Sequence, residues 1–570
     1  MAIDSTSSGD ETLHPAWARW LVPSVGDLIF VALLSLLVFT TLSVRLLGDA
    51  GIGWHIRTGQ LILSNHAIPR ADPFSSSMAG QPWFAWEWLY DVIVGWLDTA
   101  AGLNAVVLFT ALIIATTFSW TFRLLLRRNT NFLLAVVLLL LAASASMIHF
   151  LARPHVVSWL FTVAWFWILE SSEQSCRDFD SDSSATSPIK IKIKHNRTRL
   201  LWLLPPLMLL WVNLHGGFLV GFVLLAIYWF SAVWQSSRSP GDRFDQALQN
   251  IRSGKRARTL AFTGLLSALA TFLNPYGWRL HLHIYRYLSN RFLMDHIDEF
   301  QSPNFHGVAQ KCFAGLLLLT LVALAARNRE TKNIHASHFL VMLFAVYSGL
   351  YASRNIPVSS LLLILVMGPW LSDAMDRLAE RLPRRRTQKL ANRRIAPASP
   401  GAASPPFLQR MRAIDRSLRG HLWPVAAIVL TCWIAAHAGK LGSTSLMDAH
   451  FDAKRFPVGA VSYLEKHDVP GPVLSPDFWG GYLIYRLYPQ TKVVVDDRHD
   501  LYGEEFLKSY LKMVHVEPGW KNFLQQHPAG CLLVPKESAL ANILLETPNW
   551  QPVYGDTVAI LFIPARVTSK

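Results

Sequence analysis

Long apolar segments are the feature that most constrains the fold of this chain. They include Ile29 to Val44, Ala105 to Leu126, Phe132 to Met147, Val156 to Leu169 and Leu361 to Leu371. Segments of this kind approach the roughly 20 apolar residues that a helix needs to cross a bilayer. Of 570 residues, 52% are hydrophobic and only 16% are charged, against about a quarter in an ordinary soluble domain. The sequence predicts a polytopic α-helical membrane protein with about eleven transmembrane helices.

The positive charge of the chain is concentrated in alternate loops. The predicted helices lie at roughly 27–47, 104–126, 132–149, 155–170, 200–213, 217–235, 259–275, 308–326, 335–350, 355–372 and 421–438. One set of connecting loops holds 29 Lys and Arg residues, whereas the opposite set holds 7. Because positive charge marks cytoplasmic loops, the first set faces the cytoplasm. The net charge of +15 is then a topology signal with contacts to anionic lipid, and nucleic-acid binding is not expected.

This charge pattern predicts the domain organisation and the location of the chain. We expect a cytoplasmic tail at 1–24, a transmembrane domain at 25–439, and an extracytoplasmic α/β domain at 440–570, in the cytoplasmic (inner) membrane. Within the transmembrane domain, 48–86 forms an outer loop and 373–420 a basic cytoplasmic loop. The polar start of the chain lacks a cleavage site, so the first apolar block is expected to be a retained anchor. The segment 87–102 is interpreted as interfacial or half-inserted, because a full crossing there would invert every later loop.

Ionisable and aromatic residues accumulate in the predicted outer loops. The first outer loop contains Asp49, the run from Trp54 to Gly59 with His55 and Arg57, then Asp72, and it ends at Glu87. Further outer turns carry Arg153, His155, His215 and Arg354. Ordinary turns need only Gly, Pro, Asn or Asp. Cationic and acidic groups at one membrane face therefore indicate a site for a charged, phosphate-bearing ligand at the lipid–water boundary.

Each of these residues also has a purely structural interpretation. Asp49 could end a helix, and Trp54 and His55 could be interfacial anchors. Arg153 and Arg354 could extend to lipid headgroups, and His215 could cap a helical hairpin. The joint pattern is stronger evidence for a site than any one residue.

The motifs resemble a known superfamily. The chain resembles the GT-C glycosyltransferases, which include protein O-mannosyltransferases, aminoarabinose transferases and oligosaccharyltransferases. The shared features are an Asp after the first transmembrane helix, an amphipathic outer loop, a Trp-rich return segment and an exported C-terminal domain. The Trp54–Gly59 run, Glu87–Leu89, Trp479–Leu483 and Asp497–Gly503 resemble an uncharacterised bacterial branch of that superfamily. This closer resemblance extends over nearly the whole chain.

The resemblance implies transfer of a sugar from a polyprenyl-phosphate-linked donor to an acceptor on the outer face. It implies that Asp49 is the catalytic carboxylate, because an acceptor hydroxyl needs a base within hydrogen-bond reach. Arg and His side chains would balance charge on the phosphate leaving group. Related loops carry a second acidic residue within two positions, where this chain has Ala50 and Gly51. A divalent cation is thus possible but not strongly indicated, and Asp72 or Glu87 could supply another carboxylate.

The C-terminal segment from about Pro457 to Pro564 alternates helix and strand patterns. It predicts a small Rossmann-like α/β domain. The lack of a Gly-rich fingerprint argues against nucleotide binding, and Cys531 is the only cysteine there, so no disulfide forms within the domain. The run from Asp477 to Tyr482 is similar to the WWDYG acceptor-binding motif of oligosaccharyltransferases. The C-terminal acceptor candidates are Trp479, Tyr482 and Asp497, with packing as the alternative role of Trp479 and Tyr482.

Two other functional classes remain open at this point. A polymerase or ligase of lipid-linked glycan would use the same kind of donor. A non-catalytic transporter or assembly protein is disfavoured, because transporters place polar residues deep within their helices and the mid-helix positions here are mostly Leu, Val, Ala and Phe. The sugar and the glycan, lipid or protein acceptor are not encoded in any recognisable motif.

Overall fold

The computed structural model describes residues 18–177, 197–237, 244–327, 336–391 and 420–565, together with residues 415 and 418. Most of the low-complexity segments and much of the basic loop at 373–420 lie outside these ranges, as does most of the N-terminal tail.

The first three quarters of the chain is helical. The α-helices are Ala18–Leu21, Val25–Phe39, Leu42–Leu46, Gly51–Asn65, Trp88–Arg127, Phe132–Ser146, His155–Arg177, Leu204–Leu214, Leu219–Ser236, Phe244–Ala270, Trp278–Ser289, Arg291–His296, Val308–Ala325, Ala336–Tyr351, Ile356–Ala391 and Leu422–Ala436. Short 3-10 helices lie at Met147–His149, Arg197–Leu203, Gly216–Phe218, Asp298–Phe300 and Ser353–Asn355.

Five described helical segments are long and apolar enough to cross a bilayer. They are Trp88–Arg127, Phe132–His149, Gly216–Ser236, Val308–Ala325 and Ser353–Ala379. Three shorter apolar helices accompany them, at Val25–Phe39, Ala336–Tyr351 and Leu422–Ala436. The predicted class of multi-pass helical membrane protein is therefore confirmed, while the number of eleven crossings stays a prediction.

The segment that the sequence singled out before the second predicted span is a separate helical piece. Ala101 and Gly102 have non-helical backbone angles inside Trp88–Arg127, so one helix ends at this kink and another begins. Gly102 has a φ of 66°, a conformation that glycine adopts without the steric cost of a Cβ. The kink lets residues 88–100 take a different direction from the long apolar helix that follows.

The helix Gly51–Asn65 lies in the first loop and packs closely against the start of Trp88–Arg127. A Cβ on Gly59 would lie 1.8 Å from the carbonyl oxygen of Asp91, so only glycine allows this approach. His55 and Ile56 are fully buried on this helix. The first loop is thus a folded layer on the helical bundle.

The C-terminal domain is an α/β layer whose strands are Val473–Leu474, Cys531–Pro535, Trp550–Gly555 and Ala559–Pro564. Its helices are Val458–Lys466, Asp477–Leu487, His499–Tyr502, Glu504–Val514, Lys521–Gln526 and Ala539–Glu546. Val473 pairs parallel with Cys531, but Ala559–Pro564 runs antiparallel to both of its neighbours. The sheet is therefore mixed, which differs from a Rossmann-like parallel sheet, because the last two strands form a hairpin instead of a crossover.

The first loop and the C-terminal domain are joined by backbone and ionic contacts. Ser75 forms a parallel bridge with Val493, and Ser76 N donates to the Val493 carbonyl oxygen at 2.8 Å. Buried Arg498 lies 2.8 Å from Asp72. Because removing one partner of a buried ion pair leaves an uncompensated charge, loss of either side chain would weaken the contact between the domain and the loop. These contacts place Asp497 next to the helical bundle.

Candidate functional site

Asp49, Arg153 and Asp497 form one cluster where the bundle meets the C-terminal domain. Nη1 of Arg153 lies 2.8 Å from Oδ1 of Asp49 and 2.9 Å from Oδ2 of Asp497. Asp49 follows the short helix Leu42–Leu46, and its Oδ1 also accepts the Gly51 N–H at 2.8 Å. A single guanidinium nitrogen thus bridges two carboxylates from distant parts of the chain.

The second carboxylate of the cluster is held in place by the first loop. Oδ1 of Asp497 accepts a hydrogen bond from Trp54 Nε1 at 3.0 Å. Burial raises the pKa of Asp497 to about 6, with Arg153 opposing the rise and Asp49 adding to it. This carboxyl group therefore changes charge close to neutral pH, unlike a solvated aspartate.

The glycine after Asp49 makes the cluster possible. A Cβ on Gly51 would lie 1.8 Å from Nη1 of Arg153 and 2.5 Å from Oδ2 of Asp497. Any side chain there would push the guanidinium away. In place of the second acidic residue that the resemblance leads one to expect near Asp49, the chain has small residues, and the second carboxylate comes from Asp497.

The cluster does not fit a divalent cation. A metal ion between two carboxylates would need the position that Nη1 of Arg153 holds, within 2.9 Å of both. Among the described residues, the one group with ligand atoms close enough for a metal is Glu170, Glu173 and His338, in another part of the bundle. There Arg128 lies 2.7 Å from Glu170, so a guanidinium already balances that carboxylate.

A second buried polar group lies beside the cluster and centres on Glu87. Nε2 of His55 is 3.8 Å and Nε2 of His215 is 3.7 Å from the two carboxyl oxygens of Glu87. Nδ1 of His55 lies 2.5 Å from Oδ1 of Asp91. Burial raises the pKa of Glu87 to about 8, so a neutral carboxylic acid lies between the two imidazoles at pH 7.

The contacts of His215 fix its tautomer. Its Nδ1 accepts the Gly217 N–H at 3.0 Å and lies 2.7 Å from the Ser158 hydroxyl. Burial, followed by the nearby charge of Arg354, lowers the pKa of His215 well below its usual value. The neutral ring therefore carries its proton on Nε2, which can donate to an anionic ligand.

A cavity of about 380 Å³ opens next to these residues. Its polar lining includes His155, His215, Ser158 and Arg354, and its apolar lining includes Trp86 and Trp159. Arg354 lies 3.4 Å from Glu299 and 4.5 Å from the centre of the Phe300 ring. We name this space the first cavity; it combines one cationic end with a mostly aromatic and aliphatic wall.

The structure brings together most of the site residues that the sequence predicted, but not all of them. Arg57 donates to the Tyr485 carbonyl oxygen and to Gln60, so its guanidinium is held away from Asp49. Asp72 is paired with Arg498 and its Oδ2 accepts the Ser75 N–H, which assigns it a structural role. Neither residue supplies a group to the cluster.

Two C-terminal acceptor candidates are buried in the structure. Trp479 and Tyr482 are 2% and 1% exposed. Trp479 Nε1 donates to the Arg455 carbonyl oxygen at 3.0 Å, and the Tyr482 ring packs against Phe451. The burial of both rings agrees with the alternative packing role, and their contact with an acceptor stays a prediction.

Glu299, which belongs to the charged outer turns, faces Arg354. Burial raises the pKa of Glu299, but Arg354 together with Arg153 outweighs that effect and lowers it to about 2. Sequence patterns missed two polar residues near the site. Asp91 lies within an apolar helix and contacts His55. Ser158 contacts both His215 and Trp211. A polar residue on the face of an otherwise apolar helix is the sequence signal that could have identified Asp91 and Ser158.

Comparison with known proteins rests on structure alone. No protein-family model matches the chain, and no curated protein sequence matches it. The archaeal oligosaccharyltransferase AglB from Archaeoglobus fulgidus, in complex with an inhibitory peptide and a dolichol-phosphate, matches with a TM-score of 0.52 at 13% identity, over 90% of this chain and 69% of that one.

Two further solved structures are similar. The apo form of the Archaeoglobus fulgidus oligosaccharyltransferase matches with a TM-score of 0.52 at 12% identity, over 95% of this chain and 74% of that one. ArnT from Cupriavidus metallidurans in the apo state gives a TM-score of 0.46 at 13% identity, over 94% and 96% of the two chains. At such identities the shared property is the fold. The chain therefore shares the fold of the archaeal oligosaccharyltransferase.

Proposed function

We propose that this protein is a membrane glycosyltransferase that moves a sugar from a polyprenyl-phosphate-linked donor to an acceptor on the outer face of the cytoplasmic membrane. The observation that carries the proposal is that His155, two residues after the Arg153 that pairs with Asp49, lines an apolar cavity with a cationic end. The dolichol-phosphate in the structure of the similar oligosaccharyltransferase supports this kind of donor. The structural neighbours support the general kind of reaction.

The first cavity suits the donor. Its apolar wall can accept the prenyl units nearest the phosphate, which would otherwise stay in lipid. Arg354 offers a positive charge, and Nε2 of His215 offers a hydrogen-bond donor, at the same end. Donors placed where charge develops on a leaving group are the main source of transition-state stabilisation in such reactions.

Asp49 is the proposed base. Its Oδ1 is occupied by Arg153 and by the Gly51 N–H, whereas no described residue donates to its Oδ2. The acceptor oxygen attacks the anomeric carbon, the bond from that carbon to the phosphate oxygen breaks, and the acceptor proton goes to Oδ2 of Asp49. The products are the glycosylated acceptor and the polyprenyl phosphate.

Arg153 and Asp497 are the proposed positioning residues. The guanidinium fixes the orientation of Asp49, and the hydrogen bond from Trp54 to Asp497 fixes the guanidinium from the other side. Holding a base in one orientation contributes to rate because a misplaced group is seldom in an attack geometry. The C-terminal domain thus contributes to the site through Asp497, without contacting the donor phosphate.

The donor assignment can be tested with undecaprenyl phosphate as the probe. Binding to the purified full-length protein would be measured by native mass spectrometry, for the wild type and Arg354→Gln. We expect about tenfold weaker binding by the variant, because a charge-assisted contact of about 1.4 kcal/mol is lost. Arg377→Gln, in the helix Ile356–Ala391 that follows Arg354 and paired with Asp373, is the matched control. Equal affinities for all three proteins would contradict the assignment.

A further inference from the structure

A second cavity lies at Gly48, the residue before Asp49. It has a volume of about 280 Å³ and lies between the short helix Leu42–Leu46, the segment before Arg153 and the C-terminal domain. Its apolar lining includes Leu37, Met147 and Phe150, and its charged lining includes Arg45, Arg455 and Asp452. None of these side chains lines the first cavity, so the two cavities are formed by different residues.

The two arginines of the second cavity are available to a ligand. Both are exposed, and within the described part of the chain neither has a carboxylate oxygen within 4 Å. Oδ1 of Asp452 accepts the Lys454 N–H at 2.9 Å, so this carboxylate is hydrogen-bonded within the turn that carries it. Two guanidinium groups against one carboxylate leave a net positive cavity, and guanidinium forks match phosphate oxygens.

The second cavity ends one residue before the proposed base, where a Cβ on Gly48 would lie 3.7 Å from Nη1 of Arg455. Gly48, which lines it, precedes Asp49 in the chain. Arg153 lies in the chain between two sets of lining residues. Met147, Ile148, Phe150 and Leu151 line the second cavity, and His155, Ser158 and Trp159 line the first. A ligand in each cavity would thus meet at the cluster of Asp49, Arg153 and Asp497, which is the arrangement that a donor and an acceptor require.

The lining also indicates what kind of molecule enters. Met147, at the end of a candidate membrane span, is 43% exposed. Leu36, the residue before Leu37 of the lining, is 49% exposed. Apolar side chains exposed on a membrane helix contact lipid tails. The second cavity therefore presents an apolar side toward lipid and two cationic side chains at its polar end.

We propose that the second cavity binds the acceptor, and that the acceptor is a phosphate-bearing lipid of the outer leaflet. Its phosphate lies between Arg45 and Arg455, its chains extend along Leu37 and Met147, and a headgroup hydroxyl reaches Asp49. The inference rests on the proposed function, which it makes more specific by naming the substrate class. Arg455 belongs to the C-terminal domain and Arg45 to the bundle, so the site is complete only when the two are joined.

The test uses the purified full-length protein, native mass spectrometry and two probes, dioleoyl phosphatidic acid and undecaprenyl phosphate. The wild type is expected to bind phosphatidic acid at least about tenfold more tightly than dioleoylglycerol, because the uncharged lipid lacks the phosphate. The double variant Arg45→Gln/Arg455→Gln is expected to lose that preference and to keep its affinity for undecaprenyl phosphate. Lys454→Gln, which changes an exposed neighbour outside the lining, is the control and should bind both probes normally.

Each failure has a different meaning. Unchanged preference for phosphatidic acid in the double variant would overturn the inference and leave the donor site intact. Loss of undecaprenyl phosphate binding in the double variant would show that the arginines serve the donor, which also overturns it. Displacement of phosphatidic acid by an equal concentration of inorganic phosphate would identify a site for free phosphate instead of lipid. Absence of undecaprenyl phosphate binding by the wild type would contradict the proposed function itself.

Discussion

Nη1 of Arg153 lies 2.9 Å from Oδ2 of Asp497, although 344 residues separate the two in the chain. Arg153 lies in a turn of the helical bundle and Asp497 in the C-terminal domain. Because the same nitrogen also contacts Asp49, the domain is mechanically part of the site and not only an attachment to it. Substitutions of Asp497 should therefore alter the position of the Asp49 side chain.

Replacing Asp49 with asparagine should remove the proposed base while preserving its size and most of its hydrogen bonds. We expect transfer to fall by roughly a hundredfold or more, with folded protein still present in the membrane. Mass spectrometry of envelope glycans and lipid-linked sugars from a complemented deletion strain would measure product. Asp448→Asn, which changes an exposed aspartate of the C-terminal segment, is the control. Near-normal product from Asp49→Asn would return this residue to a helix-end role.

Replacing Gly51 with alanine should disrupt the cluster without changing any ionisable group. The new Cβ would displace the guanidinium end of Arg153, which is flexible, so we expect the fold to survive and transfer to drop about tenfold or more. The matched control is Gly315→Ala, because an added Cβ there meets no atom within 4 Å. Wild-type transfer by the Gly51 variant would show that the bridge does not position the base.

The stability of the protein should depend on the ionisation of Asp497. Burial raises its folded-state pKa to about 6, above the roughly 3.9 of an unfolded aspartate. The folded state binds the proton more tightly, so the stability linked to this group is full below about pH 4 and is lost as pH rises through 6.

Thermal unfolding of the full-length protein between pH 4 and 7 would measure this effect. Asp497→Asn mimics the protonated form, so its melting temperature should rise relative to the wild type as pH increases over that range. A constant difference between the two proteins would mean that Asp497 stays in one protonation state. Asp448→Asn, at an exposed site, should show no pH-dependent difference.

Replacing Glu87 with glutamine should have little effect at neutral pH. Because burial raises the pKa of Glu87 to about 8, the native side chain is mainly a neutral acid at pH 7, and glutamine has nearly the same shape. We expect transfer within about threefold of the wild type. A loss as large as that of Asp49→Asn would identify Glu87 as an ionised base and would reassign the reaction centre.

The sidedness of the chain can be tested by labelling single cysteines with a membrane-impermeant reagent. The 29-to-7 distribution of Lys and Arg predicts that a C-terminal tag and positions near Asp49 react from outside, and that positions near Arg385 react only from inside. The opposite pattern would overturn both the topology and the proposed location of the reaction. Labelling of both sets from one side would contradict the alternation of loops.

Part of the candidate site was predicted from residue type and position in the outer turns. Asp49 and Arg153 lie in the cluster, and His215 and Arg354 line the first cavity. Asp497 was predicted only as an acceptor candidate of the C-terminal domain, and the structure places it in the cluster. The sequence could not show that Arg57 and Asp72 lie outside the cluster. Their partners, the Tyr485 carbonyl oxygen and Arg498, lie hundreds of residues away in the chain. A sequence shows that a polar group is present, but not which distant group satisfies it.

The sequence by itself determined the class of protein, because apolar segments of membrane-spanning length leave lipid as the only solvent that suits them. It also predicted that the segment 87–102 is separate from the span that follows it, and that an α/β pattern begins at about Pro457. Only the tertiary structure decided that Asp497 joins Asp49 and that Trp479 and Tyr482 are core residues. The reason is physical: burial and ion pairing depend on contacts between segments far apart in the chain, and such contacts leave no local pattern.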